Sequence, residues 1–331
     1  MSDRHGRLVG ALLTLGALLV LGCAAGRLVP EQWIGSSILR FLENPAPWGL
    51  ALAAGLGLLA AGLGARRSGA ALALLSLVAG AAITLDHLRL SLPRVPPAPG
   101  GAGEIRVLFF NVLQSNTAHA QAIARMTIAL DPDVAIFAEA SGLAPARDLL
   151  AAHFPFATGC DAATPEGACD LAVYARRPFL DHEIGPVAAF SRQGYFRGRT
   201  LDSTGAEVEV FGVHLLKPWF SGFAEGERDK LTWRSLFSRA RPALMVGDFN
   251  AAPWTHALSD LLRQSGFRAA RAITATWPPA AGAFGVPLDH ALVRGGMRLV
   301  AVEPIGADLG SNHRGLLVTA RRVPKEGETG D

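Results

Sequence analysis

The chain has 331 residues, 50% of them hydrophobic and 18% charged, with a mean hydropathy of +0.28. This composition excludes a disordered chain, a collagen-like repeat and a disulfide-dense mini-protein. The formal charge of +3 divides unevenly: residues 1–100 carry 8 Lys/Arg against 4 Asp/Glu, and residues 101–331 carry 23 against 24. The basic excess therefore belongs to the first hundred residues, and the remainder lacks the cationic surface of a general nucleic-acid binder.

Three uncharged runs come first: 19 residues between Arg7 and Arg27, 22 between Glu43 and Arg66, and 18 between Arg67 and Asp86. A helix needs about 20 apolar residues to cross the hydrocarbon core, so residues 1–88 read as three transmembrane helices. Arg4 and Arg7 precede the first run, and Arg66 and Arg67 join the second to the third. By the positive-inside bias both groups face the cytoplasm. Everything after Asp86 is then extracytoplasmic, which in a Gram-negative cell makes this a multi-pass inner-membrane protein with a periplasmic domain. Trp33 and Trp48 fall at the outer ends of the spans, where amphipathic rings favour the interface. The run ending at Cys23 loosely resembles a lipoprotein cleavage box, but two further spans would make a lipid anchor redundant. Residues 89–103, containing LPRVPPAPGGAG, read as a Pro/Gly-rich linker.

Residues 104–322 change character. Ile105–Asn111, Asp133–Ala138, Leu171–Ala175, Arg197–Asp202, Glu207–Val213, Ala243–Val246, Asp289–Val293, Leu299–Pro304 and Gly315–Ala320 read as strands. Thr117–Leu130, Leu143–Ala152, Ala224–Arg239 and a segment near Thr255–Gln264 read as helices. Residues 323–331 form a polar tail. Cys160 and Cys169 flank a short turn-rich stretch. Outside the cytoplasm a disulfide is chemically allowed there, with two free thiols as the alternative.

Polar residues close several of the apolar runs. Asn111 ends RVLFFN, Glu139 ends DVAIFAE and His214 ends EVFGVH. Asp248 and Asn250 end LMVGDFN, two residues apart and so on one face of a strand end. Asp289 opens a strand, and Ser311-Asn312-His313 precedes the last one. A single polar strand end is usually a cap or a solvated edge. Six in one α/β chain point instead to a site at the sheet ends. Arg192, Tyr195, Arg197 and Arg199 could face an anionic substrate or line an exposed edge strand. Lys217–Phe223 could form a substrate loop, touch a bilayer, or pack on the following helix.

The pieces FFNV, IFAE, VHL, GDFN, LDH and SNHRG, in this order, resemble the endonuclease/exonuclease/phosphatase superfamily, which includes DNase I, abasic-site endonucleases, neutral sphingomyelinases and inositol-polyphosphate 5-phosphatases. The resemblance implies a four-layer α/β sandwich, here preceded by three transmembrane helices, and hydrolysis of a phosphate ester. It implies Mg²⁺, with Mn²⁺ as a substitute, held by Glu139 and Asn111 with Asn312 nearby. It further implies that Asp248 orients or deprotonates the attacking water. Asn250 would hold phosphoryl oxygens, His313 would stabilise the scissile phosphate with Asp289 orienting its ring, and His214 would be a second phosphate-facing imidazole. The substrate is expected to be a nucleic acid or a phospholipid head group. Two departures stand out. Asn312 replaces the family Asp, and Leu113 and Gln114 occupy places where many nucleases carry a carboxylate. Both suggest a site of lower charge with one metal, and a catalytically inactive, membrane-tethered binding domain is the alternative.

Overall fold

The computed structural model describes residues 3–27, 29, 33, 36–160, 169–187, 193–218, 220, 223–236 and 241–323. The first part is helical: α1 (Asp3–Ala25), α2 (Ser36–Glu43), α3 (Ala46–Gly62) and α4 (Arg66–Leu90). The helices α3 and α4 touch backbone to backbone where Gly57 meets Gly69. A Cβ at either glycine would collide with the other's carbonyl oxygen, the close approach that small residues permit between apolar helices.

Two of these helices, not the expected three, are long and apolar enough to cross a bilayer: Arg4–Ala24 within α1, and α4, which has 25 residues. The second uncharged run yields only the 17 residues of α3. The helix starts only after Pro45, its N-cap, and Gly64, with φ of +105°, turns the chain just beyond its end. At 1.5 Å per residue α3 rises about 26 Å, short of a hydrocarbon core of about 30 Å. The helix α4, by contrast, runs on past Asp86 to Leu90.

Two sheets follow. The larger takes the order β1 (Ser91–Leu92), β10 (Arg268–Ala270), β11 (Asp289–Arg294), β9 (Ala243–Asp248), β8 (Glu207–His214), β7 (Tyr195–Leu201), β6 (Asp181–Gly185). The smaller takes the order β12 (Met297–Ile305), β13 (Gly315–Arg322), β2 (Glu104–Asn111), β3 (Val134–Ala138), β5 (Ala172–Ala175), β4 (Phe156–Gly159). Both faces of each sheet are covered, so the central strands are apolar throughout and alternate between two cores. In β2, Val107 and Phe109 join Leu244 and Val246 of β9 in the core between the sheets. Leu108 and Phe110 turn the other way, toward α5 (Ala120–Leu130) and α6 (Arg147–His153). Met245 of β9 packs with Leu231 of α7 (Phe223–Leu236) and Leu258 and Leu261 of α8 (His256–Ser265). Helix, sheet, sheet and helix make the four layers that the resemblance implies.

Every predicted strand is present within a few residues. The helix expected over Leu143–Ala152 forms only from Arg147, because Pro145 holds Ala140–Ala146 in a 3₁₀ turn. The end of the helix expected to reach Arg239, and tail residues 324–331, lie outside the described residues. Cys160 and Cys169 form a disulfide, with Cα atoms 5.1 Å apart. The segment read as a linker lies against the sandwich. Ser91 and Leu92 pair with β10, Val95 N donates to Leu299 O at 2.9 Å, and the Arg94 guanidinium donates to Val302 O at 3.3 Å.

Candidate active site

The register of the larger sheet sets three of the polar strand ends side by side. His214 is the partner of Asp248 across β8 and β9, and Asp248 is the partner of Asp289 across β9 and β11. Gly247 makes this possible. A Cβ there would collide with the carbonyl of Val213, so only glycine lets β9 lie this close to β8 one residue before the carboxylate. The smaller sheet brings Asn111 from the end of β2 and Glu139 from just beyond β3.

Asp248 is the hub. It is 1% exposed. Its Oδ1 accepts from Asn250 N at 2.9 Å, and its Oδ2 accepts from Asn111 Nδ2 at 3.1 Å. That same Oδ2 lies 3.7 Å from His313 Nε2 and 3.8 Å from His214 Nε2. Each imidazole is fixed from behind through Nδ1: His313 by Asp289 Oδ2 at 2.8 Å, and His214 by Asp170 Oδ1 at 2.9 Å. Burial alone would lower both imidazoles, but the carboxylates around them outweigh it. The His313 pKa is pushed up to about 9 by Asp289 and Asp248, and that of His214 to about 10 by Asp170, Asp248 and Glu139. Both are cations at neutral pH, and their Nε2–H groups converge on one carboxylate oxygen.

Backbone strain gathers at the same place. Glu139, Asn250 and Leu113 have φ of 52°, 50° and 66°, a left-handed conformation uncommon for residues other than glycine. At Glu139 and Asn250 it turns the chain sharply off the strand end and keeps the side chain at the site. The Glu139 carboxylate accepts from Gln114 N at 2.9 Å and from Asn111 Nδ2 at 3.4 Å. The Asn250 amide donates to Leu215 O at 2.8 Å. Ser311 Oγ donates to Asn111 O at 2.6 Å and accepts from His313 N at 3.0 Å, which clamps the Ser-Asn-His segment to the end of β2. Asn312 is exposed and lines an open cleft with Glu139, Asp170, His214, Lys217 and Phe220.

The structure thus gathers Asn111, Glu139, His214, Asp248, Asn250, Asp289, Asn312 and His313 at one end of the sandwich. It adds Asp170, which sequence reasoning missed. Asp170 holds His214 and also accepts from Glu139 N at 3.1 Å. Its only sequence signal is a carboxylate just before the apolar run of β5. Thr276 was missed as well, and its hydroxyl accepts from Asp289 N at 3.2 Å. The arginines of β7 belong elsewhere. The register sets Arg197 and Arg199 beside acidic neighbours on β6 and β8: Arg197 pairs with Asp181 and Glu209, and Arg199 with Asp181 and Glu207. Tyr195 is buried in the core under α7, while Arg192 and Trp219 lie outside the described residues.

Two donor sets could hold a cation. Asp248, Asp289 and His313 each bring a ligand atom within 4.8 Å of the others, but this set needs a nitrogen that the geometry directs at Asp248. Glu139 and Asn312 line the open cleft and carry oxygen donors, the chemistry that suits a hard divalent ion. Asn111 is buried behind them, its Oδ1 accepting from Leu113 N and its Nδ2 turned to Glu139 and Asp248.

A model of the Endonuclease/Exonuclease/phosphatase family matches residues 108–313. No curated protein matches the sequence. Similar solved structures include a functionally unknown conserved protein from Enterococcus faecalis V583, 14% identical, covering 66% of this chain and 100% of that one with a TM-score of 0.53. D. rerio TDP2 complexed with a single-strand DNA product is 15% identical, covering 66% and 99%, with a TM-score of 0.53. The endonuclease/exonuclease/phosphatase from Beutenbergia cavernae DSM 12333 is 16% identical, covering 66% and 72%, with a TM-score of 0.51. At these identities the likeness is one of fold.

Proposed function

The chain belongs to the endonuclease/exonuclease/phosphatase family and is a hydrolase of ester bonds, and from that premise we propose a membrane-anchored, Mg²⁺-dependent phosphoesterase. The observation that carries this reading is Asp248, with a cationic imidazole Nε2 on either side at 3.7 and 3.8 Å. A water on the Asp248 carboxylate is oriented for attack on phosphorus. The water oxygen forms the new P–O bond, Asp248 takes its proton, and the bond from phosphorus to the ester oxygen breaks. The leaving oxygen takes a proton from solvent. His313 and His214 donate Nε2–H to the non-bridging oxygens, whose negative charge grows as the nucleophile approaches. Asp289 and Asp170 hold the two rings in that orientation. Glu139 and Asn312, which face the cleft, would hold the divalent ion, with Asn111 Nδ2 steadying the Glu139 carboxylate; the ion when bound would neutralise ester-oxygen charge.

Anchoring rests on α1 and α4. Leu15, Leu18 and Leu21 of α1 and Leu74, Leu77 and Val78 of α4 are each at least half exposed, far more contiguous apolar surface than water tolerates. His5 Nε2 bonds Leu63 O at 2.8 Å. Arg4 and Arg7 therefore lie at the same end as Arg66 and Arg67, the cytoplasmic end by the positive-inside bias. The sandwich is at the other end, and the Cys160–Cys169 disulfide suits an oxidising extracytoplasmic compartment.

The test is hydrolysis of bis(p-nitrophenyl) phosphate by the purified full chain with Mg²⁺ or Mn²⁺. EDTA abolishes turnover, and His313→Ala lowers kcat by about 10²–10³-fold, the usual loss for one oxyanion donor. A folded protein with no turnover under either metal overturns the reading in favour of a binding domain.

A further inference from the structure

A cavity of about 550 Å³ lies beside the site, between α3, α4 and the loops at the ends of β9 and β11. Its lower wall follows α4 from Ser76 to His87, a rise of about 16 Å. Its upper rim is formed by Trp254, Ala275 and Pro287. The lining includes no Asp, Glu, Lys or Arg. His87, the one ionisable group, bonds Arg271 O at 3.1 Å. A nucleic acid needs cationic side chains against its phosphates, and this wall offers none.

The rim and the site share the same short segments. Trp254 follows Asn250 by four residues, and Pro287 precedes Asp289 by two. The Arg314 guanidinium, next to His313, donates to the carbonyl of Ala275 and to Gly282 O. Thr276, beside Ala275, holds the backbone of Asp289. Residues 250–254 and 287–289 thus link the groove to the catalytic strand ends, with Asn44 packed on the first of these segments through Asn250 O and Ala252 N. On the same loops Ile273 and Phe284 are 48% and 79% exposed, apolar side chains where the sandwich meets the helical region. A groove that descends a bilayer-crossing helix from this level is surrounded below by lipid chains. Its volume lies in the range of small-molecule sites.

We propose that this groove seats an acyl chain of a membrane phospholipid whose phosphate ester reaches the Asp248–His313 site, so that the substrate class is a phospholipid. This rests on reading that site as a phosphoesterase. Gly80 gives the test. A Cβ there meets nothing within 4 Å and Gly80 lines the groove, so Gly80→Leu adds side-chain bulk at the groove wall. Ala81→Phe, one residue on, is the second plug.

Full chain in detergent is given dihexanoyl and dioleoyl forms of phosphatidate, phosphatidylglycerol and phosphatidylethanolamine, with bis(p-nitrophenyl) phosphate as a tail-less ester. The expected result is a kcat/KM at least tenfold higher for the dioleoyl form of one of the three. Either plug removes that preference and leaves the tail-less ester unchanged. In parallel, a phospholipid with a diazirine on its acyl chain, in vesicles of phosphatidylethanolamine, phosphatidylglycerol and cardiolipin, labels the peptide 76–87 and loses that label in the plugged variants. Turnover of the tail-less ester with label and chain preference unmoved by both plugs overturns the groove and leaves the site reading standing. Label displaced by a polyprenyl phosphate but not by phospholipid also overturns it. Failure to hydrolyse any ester strikes the site reading instead, and the label then decides the groove alone.

Discussion

Asp170 makes no contact with the attacking water in the scheme above; it acts through His214. Asp170→Asn keeps the shape but removes the charge that most opposes burial of the imidazolium. The His214 pKa should fall from about 10, read by NMR titration of the ring. The kcat should drop about tenfold or more with little change in KM. A purely structural role would leave the titration unmoved. Buried histidines at this end of the sheet also carry opposite signs for stability. His290, whose Nε2 bonds Ala251 O at 2.8 Å, is lowered to about 4, chiefly by burial. Between pH 6.5 and about 4 the unfolded chain takes up a proton there that the folded chain refuses, so stability falls with pH across that window. The full effect is about 3 kcal/mol. His290→Gln should flatten this acid limb in thermal melts. His313 and His214 are raised, so their contribution is complete below pH 6.5 and is lost as pH climbs through about 9 and 10. Most of these residues were legible in the sequence because a polar group ending an apolar run stands out against it. Asp170 precedes its run and Thr276 lies in a loop of small residues, so neither breaks a pattern.

At the scale of elements, Gly247 decides whether β8 and β9 can meet. Gly247→Ala drives a methyl into the Val213 carbonyl. It should cost about 1–3 kcal/mol, as overpacking of a buried site does, with loss of activity beyond the loss of stability. Denaturant titration beside the phosphodiester assay separates the two. The long buried strands were readable for the reason that makes them stable, a continuous apolar run with two covered faces. The strands β4, β6 and β10 were not. Three to five residues long and largely exposed or mixed in burial, they take their pairing from the neighbouring strand rather than from a pattern of their own. The helix α2 escaped notice similarly, as eight residues between two apolar runs. The second span falls short because the count of 22 uncharged residues includes Asn44 and Pro45 before α3 and residues 63–65 after it, where the chain is already turning.

The molecule as a whole is joined by contacts that no local pattern announces. Asn44 Oδ1 accepts from Ala252 N at 2.7 Å and its Nδ2 donates to Asn250 O at 3.4 Å. The Trp254 indole donates to Glu43 O at 2.9 Å, and its ring packs edge-on against Trp48 with centroids 5.7 Å apart. Asp86 binds Arg27 of the α1–α2 connection and Arg263 of α8 at 3.1 and 2.5 Å. These partners lie up to about two hundred positions apart, so the sequence shows each only as a polar or aromatic residue without a motif. Asn44→Ala leaves Ala252 N and Asn250 O without these partners in a buried place and should lower stability by about 1–3 kcal/mol. Because that loop follows Asp248, kcat should fall as well, and measuring melting and turnover together checks both.

The pairing of Ser91 and Leu92 with β10 removes any slack between α4 and the sheet. An enzyme on a long leash sweeps a hemisphere of solvent; on the proposed anchoring this one is bolted to the floor, its reach fixed at the height of its own footing. On the proposed reading, in which α1 and α4 cross a bilayer and the substrate is a lipid ester, encounters are two-dimensional, so turnover should follow the mole fraction of that lipid in the surface and be indifferent to how much buffer surrounds the vesicle.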